Sequence, residues 1–334
     1  MPWLLAVAGL ANLAYPMYVH FDFTHSPDTR SYLRMGAGRF DSIRVTHRYR
    51  VLVPAAAALV AAPVATAYSR VWPQRAAGTW PLRFAFYLVN CVVLAAAAAT
   101  WCRAARCAGA APEAAVLAML AVLTSRWAEY AAGLPLTDSL YLLVFGLGYY
   151  AVRRGPLGKW ALITALLIGP LAKESFLLLV PWLFWFGRPT LQWPKQLLAL
   201  ACGLVALLTV HYFVDTRLGA PASQSVSNAV AHFENVVYSV QRAASPKGVG
   251  ELLSVFGLFT LIVPVAFWLD YAKRHAARSP LAQSLGWAEL GLLAVVGLHM
   301  LLSGDLGRMG YLSAPVFCTA LALVFSHWRR LVRH

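Results

Sequence analysis

Apolar segments of about 20 residues recur along this chain, each long enough to cross roughly 30 Å of hydrocarbon. No other feature narrows the possible folds as far. Hydrocarbon offers the backbone no water, so each segment must pair its own N–H and C=O groups, and a helix does this without a neighbour. Sixty per cent of the 334 residues are hydrophobic and 12% are charged. No stretch is long enough and polar enough to stand as a separate soluble domain. The chain therefore reads as all-α, a polytopic membrane helical bundle forming a single transmembrane domain over residues 1–334.

In order, the apolar segments cover residues 2–19, 51–68, 82–101, 114–130, 140–152, 157–186, 197–214, 251–269, 287–302 and 309–328. The second is short and holds Pro54 and Pro63. The sixth is interrupted by Lys173, Glu174 and Ser175. Arg153 and Arg154 precede it, and Arg188 and Lys195 follow it. Basic loops favour the cytoplasm, so both its ends belong there and it must turn back. Gly169-Pro170 is the expected break. Lys173 and Glu174 then sit near a hairpin tip on the opposite side. No internal repeat is visible.

Residues 21–54 are the most polar part, with six arginines and three aspartates. Ser26 can be an N-cap and Pro27 the first helical residue, which puts Asp28 in the positive first turn. Gly36 and Gly38 would stop that helix. Asp28 has two open roles, a helix-start acid or a catalytic carboxylate at a membrane surface. The side it faces turns on residues 51–68. If they cross fully, the polar stretch is cytoplasmic, as its arginines favour. If they only dip in, it joins the 133–138 turn, the Lys173-Glu174 tip, the 215–250 loop and the 304–308 turn on the far side. Shortness and two prolines favour the second arrangement.

A net charge of +15 would suggest nucleic acid in a soluble chain. Here the basic residues lie mostly in short loops, so orientation and phospholipid headgroups explain them, and no nucleic-acid partner is expected. The five cysteines have no metal-ligand spacing and no disulfide framework. The nine histidines are scattered. His299, within a span, is expected to be a hydrogen-bonded helix residue. Walker, GxGxxG, HExxH, DxD and nucleophile-elbow patterns are missing, so no cofactor and no divalent metal are expected. The N-terminus lacks the basic region of a secretory signal, and the first segment is expected to be retained.

Ionisable groups at membrane depth are costly and mark a cavity. Most acids beside spans fall in the far-side turns. Each also has an ordinary role. Asp138 follows Thr137 and can cap its helix. Glu129 can pair with Arg126 at i,i+3. Lys173-Glu174 can hydrate a hairpin tip, and Asp305 with Arg308 can be a surface pair. Gathered on one side, they favour a polar cavity. The basic residues suit a phosphate, because arginine offers a planar fork. Arg48 and Arg50 bracket Tyr49, Arg308 starts the last span, and Lys173 sits at the tip. Snorkelling to ordinary headgroups is the alternative for Arg48 and Arg50.

The runs DTRSYLRMGAG, HRYRVLVP, LPLTDSLY, AKES and GDLGR occur in this order along nearly the whole chain. They resemble the GT-C superfamily, integral membrane glycosyltransferases that use polyprenyl-phosphate sugars, and within it small bacterial members without a soluble domain. The resemblance implies a GT-C-like bundle of about ten transmembrane helices in a bacterial inner (plasma) membrane, with both termini cytoplasmic. It implies juxtamembrane helices in a first external loop, roughly residues 20–80, so that 51–68 does not fully cross. A second external loop would be roughly residues 215–250. A catalytic carboxylate in the first loop corresponds to Asp28, and an acid ahead of the fourth span to Asp138. Two features depart from the family: the first loop is rich in arginine, and the small far-side loops leave little surface for a protein acceptor.

The expected function is inverting transfer of a sugar from a polyprenyl-phosphate donor to an envelope lipid or glycan acceptor on the extracytoplasmic side. Asp28 would be the base, and Arg308, Arg50, Lys173 and Arg48 would hold the donor phosphate. Asp138 or Glu174 would orient the acceptor or a basic side chain, and Tyr32, Glu129 and Asp305 would line the acceptor side. The partners would be membrane lipids and the donor. Two other classes stay open. A transporter or lipid flippase would need a midplane cavity. A non-catalytic subunit of an envelope-assembly complex would leave these acids unconverged.

Overall fold

The structure, a computed structural model, describes residues 1–40, 43, 45–218, 227–274 and 285–332. Asp41, Arg44, Arg278 and Arg333, and the side chains of Lys273, Arg274, Arg329 and Arg330, lie outside the described residues. Every regular element among the described residues is a helix. The first helices are α1 (Pro2–Leu13), α2 (Tyr15–His20), α3 (Pro27–Gly36), α4 (Val45–Arg48), α5 (Leu52–Val71), α6 (Pro73–Ala76) and α7 (Trp80–Cys107). Then come α8 (Pro112–Leu123), α9 (Arg126–Gly133), α10 (Asp138–Arg154), α11 (Lys159–Ala172), α12 (Val180–Phe186) and α13 (Trp193–Leu218). The chain closes with α14 (Ser227–Ala243), α15 (Pro246–Leu253), α16 (Phe259–Arg274), α17 (Trp287–Ser303), α18 (Leu306–Gly310) and α19 (Ala314–Val332).

Among the described residues, 6 helical stretches are long and apolar enough to cross a membrane, and four shorter apolar helices accompany them. One long stretch, Asp138–Ala172, is the hairpin of α10 and α11. Its arms meet closely because Gly158 has no side chain: a Cβ there would lie 2.7 Å from the Ala151 backbone. Several expected boundaries move. The 114–130 segment is two helices, α8 and α9, and Ser125 caps the second by accepting from the Trp127 N–H. The 251–269 segment divides between α15 and α16, with Gly257 at φ +56° between them. Pro170 does not break α11. It lies inside that helix, and the break falls at Lys173, whose backbone is extended (φ −167°, ψ 139°). Gly169 serves packing instead, since a Cβ there would meet the Phe176 ring at 2.3 Å.

The bundle has two ends. At the first, Met17 lies against Gly133, and Asn90 donates to the carbonyls of Leu134 (2.8 Å) and Leu136 (3.2 Å). At the second, the Ala111 N–H donates to Ser326 (2.9 Å), Arg153 pairs with Glu289 (2.7 Å), and Thr190 donates to the Ala151 carbonyl (3.0 Å). Helices α7 and α10 run side by side from the first end to the second. Helix α5 has 20 residues, about 30 Å of length, yet both its ends are tied to the first end. Arg50, just before it, bonds Glu174 and Tyr32. Tyr68, near its end, meets the Tyr18 hydroxyl at 3.4 Å, and Tyr18 stacks on Tyr87 of α7.

Packing follows membrane rules. Lipid tails are as apolar as leucine, so helices gain mainly from close approach, and small residues permit it. Ala95, Ala97, Ala98, Ala104 and Ala105 of α7 are fully buried. Gly146 brings α10 onto α7, because a Cβ there would collide with Thr100 and Trp101. Large apolar side chains such as Trp185, Leu198, Leu208 and Trp268 face outward.

Candidate functional site

The site is built at the first end, beginning with α3. Ser26 takes the N-cap position with extended backbone and Pro27 opens the helix, although the Ser26 side chain makes no capping bond. Thr29 ties the turn down by donating to the carbonyls of Phe23 (3.0 Å) and Ser26 (2.9 Å). The helix reaches Gly36, where a Cβ would come within 3.1 Å of Leu82 and Phe86 of α7, and Gly38 leaves it at φ +74°. Asp28 is thereby held against the start of α10.

Asp138 opens α10. The turn before it is pinned by Asn90, whose Oδ1 also accepts from Ser139 (2.5 Å). Thr137 stands at the N-cap position, but its hydroxyl donates to the Tyr32 hydroxyl (3.4 Å) and not to the helix. Arg308 comes from the short helix α18. Gly307 lets that helix seat, since a Cβ there would lie 2.2 Å from the Trp127 ring. The guanidinium donates from Nε (3.1 Å) and Nη2 (2.6 Å) to one oxygen of Asp138, and from Nη1 to Asp28 (3.0 Å). His47 Nε2 lies 3.5 Å from the other Asp28 oxygen. Tyr130 offers its ring to Arg308 at 6.0 Å.

A second pairing adjoins the first. Arg50 donates to Glu174 from Nη2 (2.7 Å) and Nε (3.1 Å), and to the Tyr32 hydroxyl from Nη1 (3.0 Å). Burial alone would lower the Arg50 pKa, but Tyr32 and Glu174 outweigh it and raise it. Burial pushes the Tyr32 phenol up, and Arg50 partly opposes this. Lys173 lies 3.6 Å from the Met309 sulfur and 5.4 Å from the Tyr141 ring centre. Burial lowers its pKa to about 8, with Asp138 pulling the other way. Three carboxylates thus share two guanidiniums and one ammonium.

Asp28, Asp138, Glu174, Arg308, Arg50, Tyr32 and Lys173 are therefore one cluster. Arg48 points elsewhere and pairs with Asp215 of α13 (3.7 Å), which also accepts from the Tyr49 hydroxyl (3.0 Å). Asp305 is not a side-chain partner of Arg308. It caps α18 by accepting the Arg308 backbone N–H (3.0 Å), and burial raises its pKa. Glu129 makes no ion pair among the described residues. Arg126, its expected partner, lies over the Trp127 ring at 4.7 Å. His299 is hydrogen-bonded as expected: its Nδ1 lies 2.8 Å from the Val295 carbonyl and its Nε2 2.6 Å from the Tyr141 hydroxyl.

Sequence reading missed His47, Thr137 as a partner of Tyr32, and Tyr130. His47 directly precedes Arg48, and its place in the same polar run was the available signal. Among the described residues, no group of three or more His, Cys, Asp or Glu could hold a metal ion.

The helices and their apolar lengths define a multi-pass helical membrane protein. No family model, curated protein or solved structure matches the chain.

Proposed function

We propose that this chain is a membrane glycosyltransferase that moves a sugar from a polyprenyl-phosphate donor to an envelope acceptor. The observation that carries the reading is the fork of Arg308, which grips Asp28 and Asp138 together. A guanidinium held by two carboxylates is already aimed and desolvated for an oxyanion. A donor phosphate would displace Asp28 from Nη1 and leave Asp138 in place to hold the fork. Phosphate binding would then free the Asp28 carboxylate for a hydroxyl.

The chemistry follows from that exchange. Asp28 takes the proton of the acceptor hydroxyl as its oxygen bonds to the anomeric carbon. The bond from that carbon to the phosphate oxygen breaks, and its electron pair leaves with the lipid phosphate. Arg308, Arg50 and Lys173 stabilise that charge, and the sugar carbon inverts. The reading takes the bundle as about ten passes, with α5 as a juxtamembrane helix and the site end extracytoplasmic. Two observations support this. Both ends of α5 belong to one end of the bundle, and the helix termini and short loops of the other end carry Arg103, Arg106, Arg153, Arg154, Lys159 and Arg188.

The test is transfer by the purified protein. Asp28→Asn should lose about 10²–10⁴-fold in rate with its fold intact. Unchanged transfer would exclude Asp28 as the base. One observation favours a second reading, a non-catalytic membrane subunit: Arg308 and Arg50 already have carboxylate partners, as a structural lock would. In that case Asp28→Asn lowers the thermal midpoint, and transfer is never detected. Thiol labelling of Asp28→Cys from each side of the membrane decides the orientation.

A further inference from the structure

The second end of the bundle holds a cavity of about 510 Å³ lined by Arg103, Arg106, Cys107, Tyr150 and Arg154, with Ala110 and Pro112 completing its wall. Its volume falls within the roughly 300–1,000 Å³ typical of ligand pockets. Its construction follows from the helices. Arg103 and Arg106 are three apart and share a face in the last turns of α7. Tyr150 and Arg154 come from the end of α10, which runs beside α7 in the same direction. Gly109, at φ +94°, turns the chain so that α8 starts at Pro112 and closes the third side.

All three arginines are exposed, and no acid is among the lining residues. Arg154 Nη1 lies 4.0 Å from the Cys107 sulfur, a weak contact. The negative ends of α7 and α10 and the loop-charge bias explain why cations collect here. Neither explains three of them around one concavity with a phenol hydroxyl beside them. Three like charges so placed repel, and an anion relieves this.

We infer that this cavity binds a phosphate-bearing anion through Arg103, Arg106, Arg154 and Tyr150. Guanidinium forks match phosphate oxygens in pairs, and the cavity opens at the end of the helices, where lipid headgroups lie. The phosphate can belong to an anionic phospholipid or be free in solution. The inference does not depend on the transferase reading, which concerns the other end.

The experiment uses the full chain purified in neutral detergent and follows the thermal midpoint as ligand is added. One arm adds phosphatidylglycerol in mixed micelles, against phosphatidylcholine at the same mole fraction. The other adds inorganic phosphate, against chloride at the same ionic strength. A saturable rise in one arm is expected. The lipid arm alone identifies a headgroup site, and the phosphate arm identifies a free-anion site. Arg103→Gln with Arg106→Gln should weaken half-saturation about tenfold. Arg154→Gln alone should weaken it too, and Arg126→Gln, an exposed arginine at the other end, should not. No saturable rise in either arm, or equal saturation in the native chain and the double variant, overturns the inference.

Discussion

Two groups of arginines, one at each end of the bundle, are used in opposite ways. At the site end, Arg308 and Arg50 are drawn inward and each is held by carboxylate oxygens. At the other end, Arg103, Arg106 and Arg154 stay exposed around a cavity with no acid in its lining. The reason is desolvation. A guanidinium withdrawn from water must be paired, or the fold loses more than it gains. One left in water carries no such requirement. The first kind is tied to the stability of the fold, and the second is free to serve a ligand.

The largest expected effect tests the first half of that contrast. Arg308→Ala strands two carboxylates at once and should cost about 3 kcal/mol, read as a lower thermal midpoint in detergent. An unchanged midpoint would mean the fork does not hold this end together. Next comes Gly307→Ala, whose added methyl must displace the Trp127 ring or lift α18. It should cost about 1–3 kcal/mol. Because Arg308 rides on α18, the variant should also lose the proposed transfer activity, and full activity would show that the seat of α18 is not needed.

Lys173 sharpens the comparison through pH. Burial holds it at about 8 against an ordinary 10.5. Between those values the unfolded chain binds more protons than the folded one, so stability from this residue rises with pH across the window. Below about pH 8 the ammonium is charged in both states and its desolvation cost is fully present. The advantage of Lys173→Met over the native chain should therefore be greatest below pH 8 and shrink toward pH 10.5. A gap that stays constant across the window would contradict this. The smallest effect is expected at the other end. Arg103→Gln with Arg106→Gln should change stability without ligand by no more than about 0.5 kcal/mol. A larger loss would erase the contrast between the two ends.

Some of this was legible in the chain, and some was not. The start of α3 at Ser26-Pro27 and its end near Gly36 and Gly38 could be read directly, because a proline at the first helical position and a glycine exit act within a few residues. Pro170 misled: it gives up the bond to the carbonyl four residues back, yet the helix runs on to Ala172 and the break falls at Lys173. The division of 114–130 at Ser125 had a local signal, the polar run Thr124-Ser125-Arg126, but the apolar residues on both sides outweighed it. Arg48 and Arg50 looked equivalent in sequence, yet one pairs with Asp215 and the other with Glu174.

By itself the sequence determined a helical membrane chain, where most apolar helices lie, and which polar runs had to gather outside them. These follow from hydrophobicity and from backbone bonds closed within each segment. Only the tertiary structure decided that Tyr68, near the end of α5, meets Tyr18, and that Arg308 meets Asp28 across 280 positions of chain. Such partners are chosen by how helices pack, and helix packing depends on small residues and shapes that no local pattern spells out.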